Sequence, residues 1–354
     1  MENKNIVICL DGTGNDPEDA VQEVGKDGNI EDDNISNVLK LHLLMGGKLN
    51  NQQTNKTQQC FYYSGVGTSG TIFRRTLASM FANFEPKWIR KEAYEDLCEN
   101  YKDGDNIFIF GFSRGAAIAR MLASEISKKG IREHKPKIKF LGVWDTVASM
   151  GIPNLDDNTR PISDVVFEDG IISEAIENAV HLVAIDETRK AFRPVLMNAS
   201  DRVEEVWFTG VHSDIGGGYR LDGLSDITLE FMIRRASKYG LNFIQVSDID
   251  FSNLGGEKDE VIDESDVVIR PDIEADIHKH MRSEKISELT LAPRRVCTVI
   301  GNEPSNENLP IIHYSVLERH KKKPSYKPDN LLGIKHYVID KNDTLSKYDG
   351  LESY

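Results

Sequence analysis

The sequence predicts an α/β fold, a mostly parallel sheet flanked by helices. Three observations carry this. Short apolar runs alternate with helix-period segments over the first 240 residues. The run "NIFIFGF" is apolar at nearly every position, as a strand covered on both faces must be. Acids, glycines and a histidine stand at the ends of such runs, where open parallel sheets carry their sites.

In order, "NIVICL" (5–10) predicts the first strand and delivers "DGTGN" to its tip. "CFYYSGVG" (60–67) is aromatic-rich and ends in glycine, which predicts a second strand and turn. "PKWIRKEAYEDLCENY" (86–101) has Pro near its start and apolar residues at Trp88, Ile89, Ala93, Leu97 and Cys98, the spacing of a helix. "NIFIFGF" (106–112) is a strand and "SRGAAIARMLASEIS" (113–127) a helix. "IKFLGVWD" (138–145), "VHLVAID" (180–186) and "VEEVWFTGV" (203–211) read as strands, and "LSDITLEFMIRRASKYG" (224–240) as a helix closing on Gly240. Asp16 to Asp33 is acidic and aperiodic, an exposed loop whose spacing fits no EF-hand, with a calcium site as the lesser alternative. From Leu241 the pattern weakens, with no Pro- or Ser-rich linker. The expected division is therefore a core over 1–240 that carries the site and an extension over 241–354 packed on it.

Composition excludes some roles. The net charge of -14 opposes free nucleic acid, which requires a basic footprint, and repels anionic lipid at long range. Cys9, Cys60, Cys98 and Cys297 are far apart and form no C-x-x-C, so buried free thiols are expected rather than zinc, and no metal or other cofactor is expected. The first apolar run is too short for a signal peptide, and no window approaches the roughly 18 apolar residues of a span. The expectation is a soluble cytoplasmic protein, exported, if at all, by a leaderless route.

The chemistry concentrates at strand ends. Gly111-Phe112-Ser113-Arg114-Gly115 is a G-x-S-x-G that follows a buried strand and opens a small-residue helix. That strand–turn–helix setting is what a nucleophile elbow requires. Side chains at Gly111 or Gly115 would collide with neighbouring strand or helix, and the amide of Arg114 points where an oxyanion forms. The bland alternative is a serine that caps the helix. A serine needs a base and the base an orienting acid. Asp145 ends one strand and His212 another, giving the chain order Ser113, Asp145, His212 of α/β-hydrolases. Asp186, Asp11 and Asp214 compete for the acid, and His313 for the base; His181, inside a strand, reads as a core histidine.

"LDGTGN" then has a function, with Gly12 and Thr13 bringing a second oxyanion donor and Asp11 anchoring the loop. The alternative is a tight turn only. The other early reading, a haloacid-dehalogenase phosphatase, requires an aspartate where this chain has Cys9. "SGVGTSG" (64–70) reads as a rim loop, and Gly216 to Gly218 let the chain turn away from His212.

"LDGTGN", "YYSGVGT", "GFSRGA", "FLGVWDTV", "HLVAIDETRKAFRP", "VWFTGVHSDIGGGY" and "IIHYSVLERHKKKPSYKPDNL" together resemble a bacterial and fungal α/β-hydrolase domain family, formerly of unknown function, that includes phospholipase effectors of type VI secretion. The resemblance implies an α/β-hydrolase-like fold with Ser113 as nucleophile, Asp145 as acid and His212 as base, and a phospholipase of the A1 or A2 type. The chain is shorter than the large effectors, so the expectation is that it carries no separate membrane-anchoring domain.

The leading expectation is a serine esterase acting on phospholipid acyl esters, with transient membrane contact and no nucleic-acid partner; an immunity or accessory protein is not legible. One alternative is a hydrolase of a small soluble ester, amide or nucleotide-derived signal, and a second is a catalytically inactive binding or regulatory module. Ile72, Phe73, Leu77, Met80 and Phe81, within 69–84, form the best candidate apolar rim. The basic run Arg319 to Lys323 reads as a solvated turn or a head-group contact.

Overall fold

The computed structural model describes residues 3–12, 32–53, 55–65, 85–147, 172–219, 223–254, 262–278, 291–301, 303–305 and 307–353. The strands are β1 (Asn5–Leu10), β2 (Asp32–Ser36), β3 (Gln58–Tyr63), β4 (Asn106–Phe112), β5 (Ile138–Trp144), β6 (Ala179–Ala184), β7 (Val203–Phe208), β8 (Gly217–Tyr219), β9 (Thr298–Ile300), β10 (Glu303–Ser305), β11 (Ile311–His313), β12 (His336–Ile339) and β13 (Leu345–Tyr348). The helices are α1 (Asn37–Leu44), α2 (Glu85–Asn100), α3 (Ser113–Lys129), α4 (His212–Gly216), α5 (Gly223–Ser237), α6 (Glu264–Val267) and α7 (Tyr314–Lys322).

Among the described residues, nine strands form one sheet in the order β13-β12-β11-β7-β6-β5-β4-β1-β3. Every neighbouring pair is parallel except β12 with β13. The continuous apolarity of the central strands resolves into two faces. Ile6, Ile8 and Leu10 of β1 pack with Ile107 and Ile109 of β4 beneath α2 and α3, which supply Ala93, Leu97, Ile118 and Leu122. Val7, Cys9, Phe108, Phe110 and Phe140 face the other way, beneath α1 and α5, which supply Val38, Leu41, Leu229 and Met232. Each large apolar side chain so buried contributes about 1.5–3 kcal/mol.

The order of the strands positions the site. From β1 the chain goes to β3 on one side and returns to β4 on the other, so the crevice between the carboxyl ends of β1 and β4 is a topological switch point. Leu10 stands opposite Gly111 in the register, which brings Asp11 and Gly12 beside the start of α3.

The part of the chain after residue 240 adds to the central sheet. β11, β12 and β13 continue the same sheet beyond β7, over a core that joins Val183 and Trp207 to Val296, Ile312 and Val338. Among the described residues no helix is long and apolar enough to cross a membrane.

Candidate active site

β4 ends at Phe112 and α3 begins on Ser113, whose φ of 57° lies in the left-handed region that a residue with a Cβ enters only at a cost. Both flanking glycines are sterically required. A Cβ at Gly111 would stand 2.7 Å from the carbonyl oxygen of Gly115 and 2.8 Å from Cα of Ala116. A Cβ at Gly115 would lie on the carbonyl oxygens of Leu10 and Asp11. The helix cap is Phe112, which makes no side-chain capping bond, so Ser113 is not the cap. Ser113 is 7% exposed, and its carbonyl accepts from the amide of Val147 at 3.2 Å.

Asp145 follows β5 directly, has φ 39° and is fully buried. His212 opens α4 after β7, with Nδ1 bonded to Asp145 Oδ2 at 2.6 Å. Its ring lies 4.6 Å from that of Phe112, the residue before Ser113, and meets Phe192 edge-on at 4.9 Å. These two aromatic contacts fix the plane of the imidazole, and the Asp145 bond directs Nδ1–H inward and leaves Nε2 as the acceptor. Burial pushes the His212 imidazole below its ordinary value, more than Asp145 and Glu187 raise it. Burial alone would raise Asp145, but the Arg294 charge and hydrogen bonds from His212 and Arg294 hold it well below the usual carboxylate range.

Two charged neighbours were not picked out in the sequence. Glu187 accepts from the His212 amide at 3.2 Å and pairs with Arg189 at 2.7 Å. Burial would raise it, yet Arg189 and Arg294 bring it down to about 2. Arg294 donates to both oxygens of Asp145, at 2.6 and 2.8 Å. Glu187 lies in "AIDETR" with no motif to mark it; Arg294, in "LAPRRV", belongs to no motif either and lies 149 residues from its partner. A cleft of about 320 Å³ adjoins His212, lined by Asp186, Glu187, Val211, Pro293, Lys327 and Asn330.

The competing candidates have other partners. Asp186 accepts from the Gly210 amide at 2.7 Å and from the Tyr326 hydroxyl at 2.9 Å. Asp214 is bonded to His278 Nδ1 at 2.6 Å and to the Val211 amide at 2.9 Å. His313 is buried against Phe208, its Nδ1 on Ser315, and burial holds it well below its ordinary value. His181 is bonded on both sides, Nδ1 to Glu205 at 2.8 Å and Nε2 accepting the Thr146 amide at 3.1 Å, which fixes the residue after Asp145. Asp11 anchors its loop, taking the hydroxyls of Ser36 (2.5 Å) and Tyr62 (2.6 Å) on Oδ2 and the Gly12 amide on Oδ1.

Gly12 is buried at the tip of β1, and Arg114 follows Ser113 in the first turn of α3. Thr13, the 69–84 rim residues and most of the acidic loop lie outside the described residues. The basic run is not a simple solvated turn. Arg319 is buried on the carbonyls of Ile273 and Ala275, and Lys322 and Lys323 reach Glu274.

The chain is similar to several known proteins. The family model described as "T6SS, Phospholipase effector Tle1-like, catalytic domain" matches residues 4–135 and 128–235, which together span β1 through most of α5. A curated relative, the uncharacterized protein YEL023C of Saccharomyces cerevisiae, is 28% identical over 246 residues, 54% of this chain and 32% of that protein. A solved structure of an uncharacterized protein from Pseudomonas aeruginosa is similar with TM-score 0.46 and 16% identity, over 76% of this chain and 49% of that one. A Tle1 effector solved bound to the VgrG spike of the type 6 secretion system is similar with TM-score 0.39 and 24% identity, over 61% and 51%. The chain thus spans about a third of the yeast relative and about half of the solved chains. With about two thirds of its length in the family match, the chain belongs to the Tle1-like family of type VI secretion phospholipase effectors, through their catalytic domain.

Proposed function

We propose that the protein is a serine hydrolase of phospholipid acyl esters, of the phospholipase A kind, working through Ser113, His212 and Asp145. The observation that carries this is the left-handed Ser113 at the switch point, next to a phenylalanine in ring contact with the buried, Asp145-bonded His212. His212 Nε2 takes the hydroxyl proton as Ser113 Oγ bonds to the acyl carbon. The carbon–oxygen bond to the glycerol then breaks, and the same proton passes to the departing alkoxide, giving a lysophospholipid. Water, deprotonated by His212, attacks the acyl carbon; the bond to Ser113 Oγ then breaks, the proton passes from His212 to Oγ, and the fatty acid leaves. The amide of Arg114, at the positive end of α3, is the donor assigned to the oxyanion; the Gly12 amide, expected from the sequence to be a second donor, is instead taken by Asp11 Oδ1. Membership of a phospholipase family supports the lipid substrate.

The test is the release of fatty acid and lysophospholipid from phosphatidylcholine dispersed in detergent, beside a short-chain soluble ester. Ser113→Ala should lower lipid turnover by about 10³-fold or more while the fold is retained. Cleavage of the short ester alone would move the assignment to a small soluble substrate. Undiminished turnover by the alanine variant would remove Ser113 from the reaction.

A further inference from the structure

The acid of a Ser–His–Asp arrangement needs one hydrogen bond, the one to histidine. Asp145 has four. Oδ2 accepts from His212 Nδ1 and Arg294 Nη2, and Oδ1 accepts from the Ala184 amide at 3.0 Å and Arg294 Nη1 at 2.6 Å. Both side chains are sealed, at 0% and 3% exposure. Arg294 is itself held by the carbonyls of Ala184 and Phe192. Its segment is pinned by a bridge of Leu291 with Arg189 and by the Ala292 amide on Thr188. The C-terminal third of the chain thus reaches over the ends of β5 and β6 and places a fixed cation on the acid.

We propose that Arg294 is a positioning residue of this site, locking the Asp145 carboxylate towards His212 and offsetting its charge. The proposal rests on the serine-hydrolase reading. A bidentate guanidinium holds a carboxylate in one plane, so Oδ2 cannot turn from His212. The charges also balance. Among the described residues, His212 faces Asp145 and Arg294 on one side and Glu187, which Arg189 neutralises, on the other, with the rings of Phe112 and Phe192 against it. On its own helix, Asp214 is turned to His278. Burial holds the His212 imidazole below its ordinary value, and among the described residues each carboxylate beside it is paired with an arginine, so it stays a free base as the solution acidifies, the state in which it can accept the Ser113 proton.

The test reads His212 directly, by NMR titration of histidine-labelled protein, with the resonance assigned by its loss in His212→Gln. In Arg294→Gln the His212 midpoint should rise by about one pH unit, since a cation a few ångströms away is removed. Arg294→Lys keeps the charge and loses the fork, so the midpoint should stay within about 0.3 units while the plateau rate of Ser113 labelling by a fluorophosphonate falls by about tenfold. A folded Arg294→Gln protein with an unmoved midpoint overturns the proposal. So does an Arg294→Lys protein whose midpoint rises or whose labelling plateau matches the parent; this arm stands if the glutamine variant does not fold. Absence of labelling in the parent counts against the hydrolase reading, while the titration still decides the effect of Arg294 on His212.

Discussion

At the scale of single residues, His212 and His313 separate by what touches them. Both are buried at the carboxyl ends of strands in the same sheet, His212 beyond the end of β7 and His313 at the last position of β11. His212 has a carboxylate on Nδ1, whereas His313 has a hydroxyl on Nδ1 and Phe208 stacked at 4.4 Å. His212→Gln should therefore remove hydrolysis by about 10³-fold or more, and His313→Gln should keep activity within a few-fold while lowering stability. Asp145→Asn and Asp186→Asn should divide in the same way, because the Asp186 carboxylate serves the Gly210 amide and Tyr326. Kinetics on one soluble ester and a urea melt for each variant check this. A large loss in His313→Gln with His212→Gln active would show that the base was misassigned.

At the scale of elements, the elbow is a steric device. α3 packs so close to β1 that a Cβ at Gly115 meets main-chain atoms, which cannot move aside as a flexible side chain would. Gly115→Ala should cost about 1–3 kcal/mol, push α3 from the sheet and lower Ser113 labelling together with stability. Ala117→Gly in the same helix should cost about 1 kcal/mol and spare labelling. An alanine at 115 that melts and labels as the parent does would refute the close contact.

The elbow was legible in the sequence because its causes are local: a buried strand, two glycines and a small-residue helix within fourteen residues, "IFIFGFSRGAAIAR". The ends of β5 and β7 were legible for the same reason. The C-terminal third was not, because β9, β10 and β11 are three residues each, too short for a period to register. Arg294 was invisible because a cation declares its partner only in three dimensions. Arg319 misled, because a buried arginine and an exposed one look alike within "ERHKKK".

At the scale of the whole molecule, charge and protonation set the working conditions. The net charge of -14 should make turnover faster on zwitterionic than on strongly anionic vesicles at low salt, with the gap closing as the Debye length falls to about 8–10 Å near 0.1–0.15 M. Equal rates on both at low salt would contradict this. His42, His212, His313 and His336 are buried, and burial lowers each of them. Below the ordinary histidine value the unfolded chain binds more protons than the folded one, so stability is full above pH 6.5 and declines as pH falls. For His42, brought down to about 4, the loss amounts to roughly 3 kcal/mol across that window. The urea midpoint should fall steadily from pH 6.5 to 4.5, and a flat midpoint would refute the neutral buried histidines. The most direct test of the whole account is the mass of the intact protein after exposure to a fluorophosphonate, followed by peptide mapping. The account predicts one adduct, on Ser113, and none on folded Ser113→Ala; an adduct that persists in that variant, or a folded parent that takes up none, would contradict it.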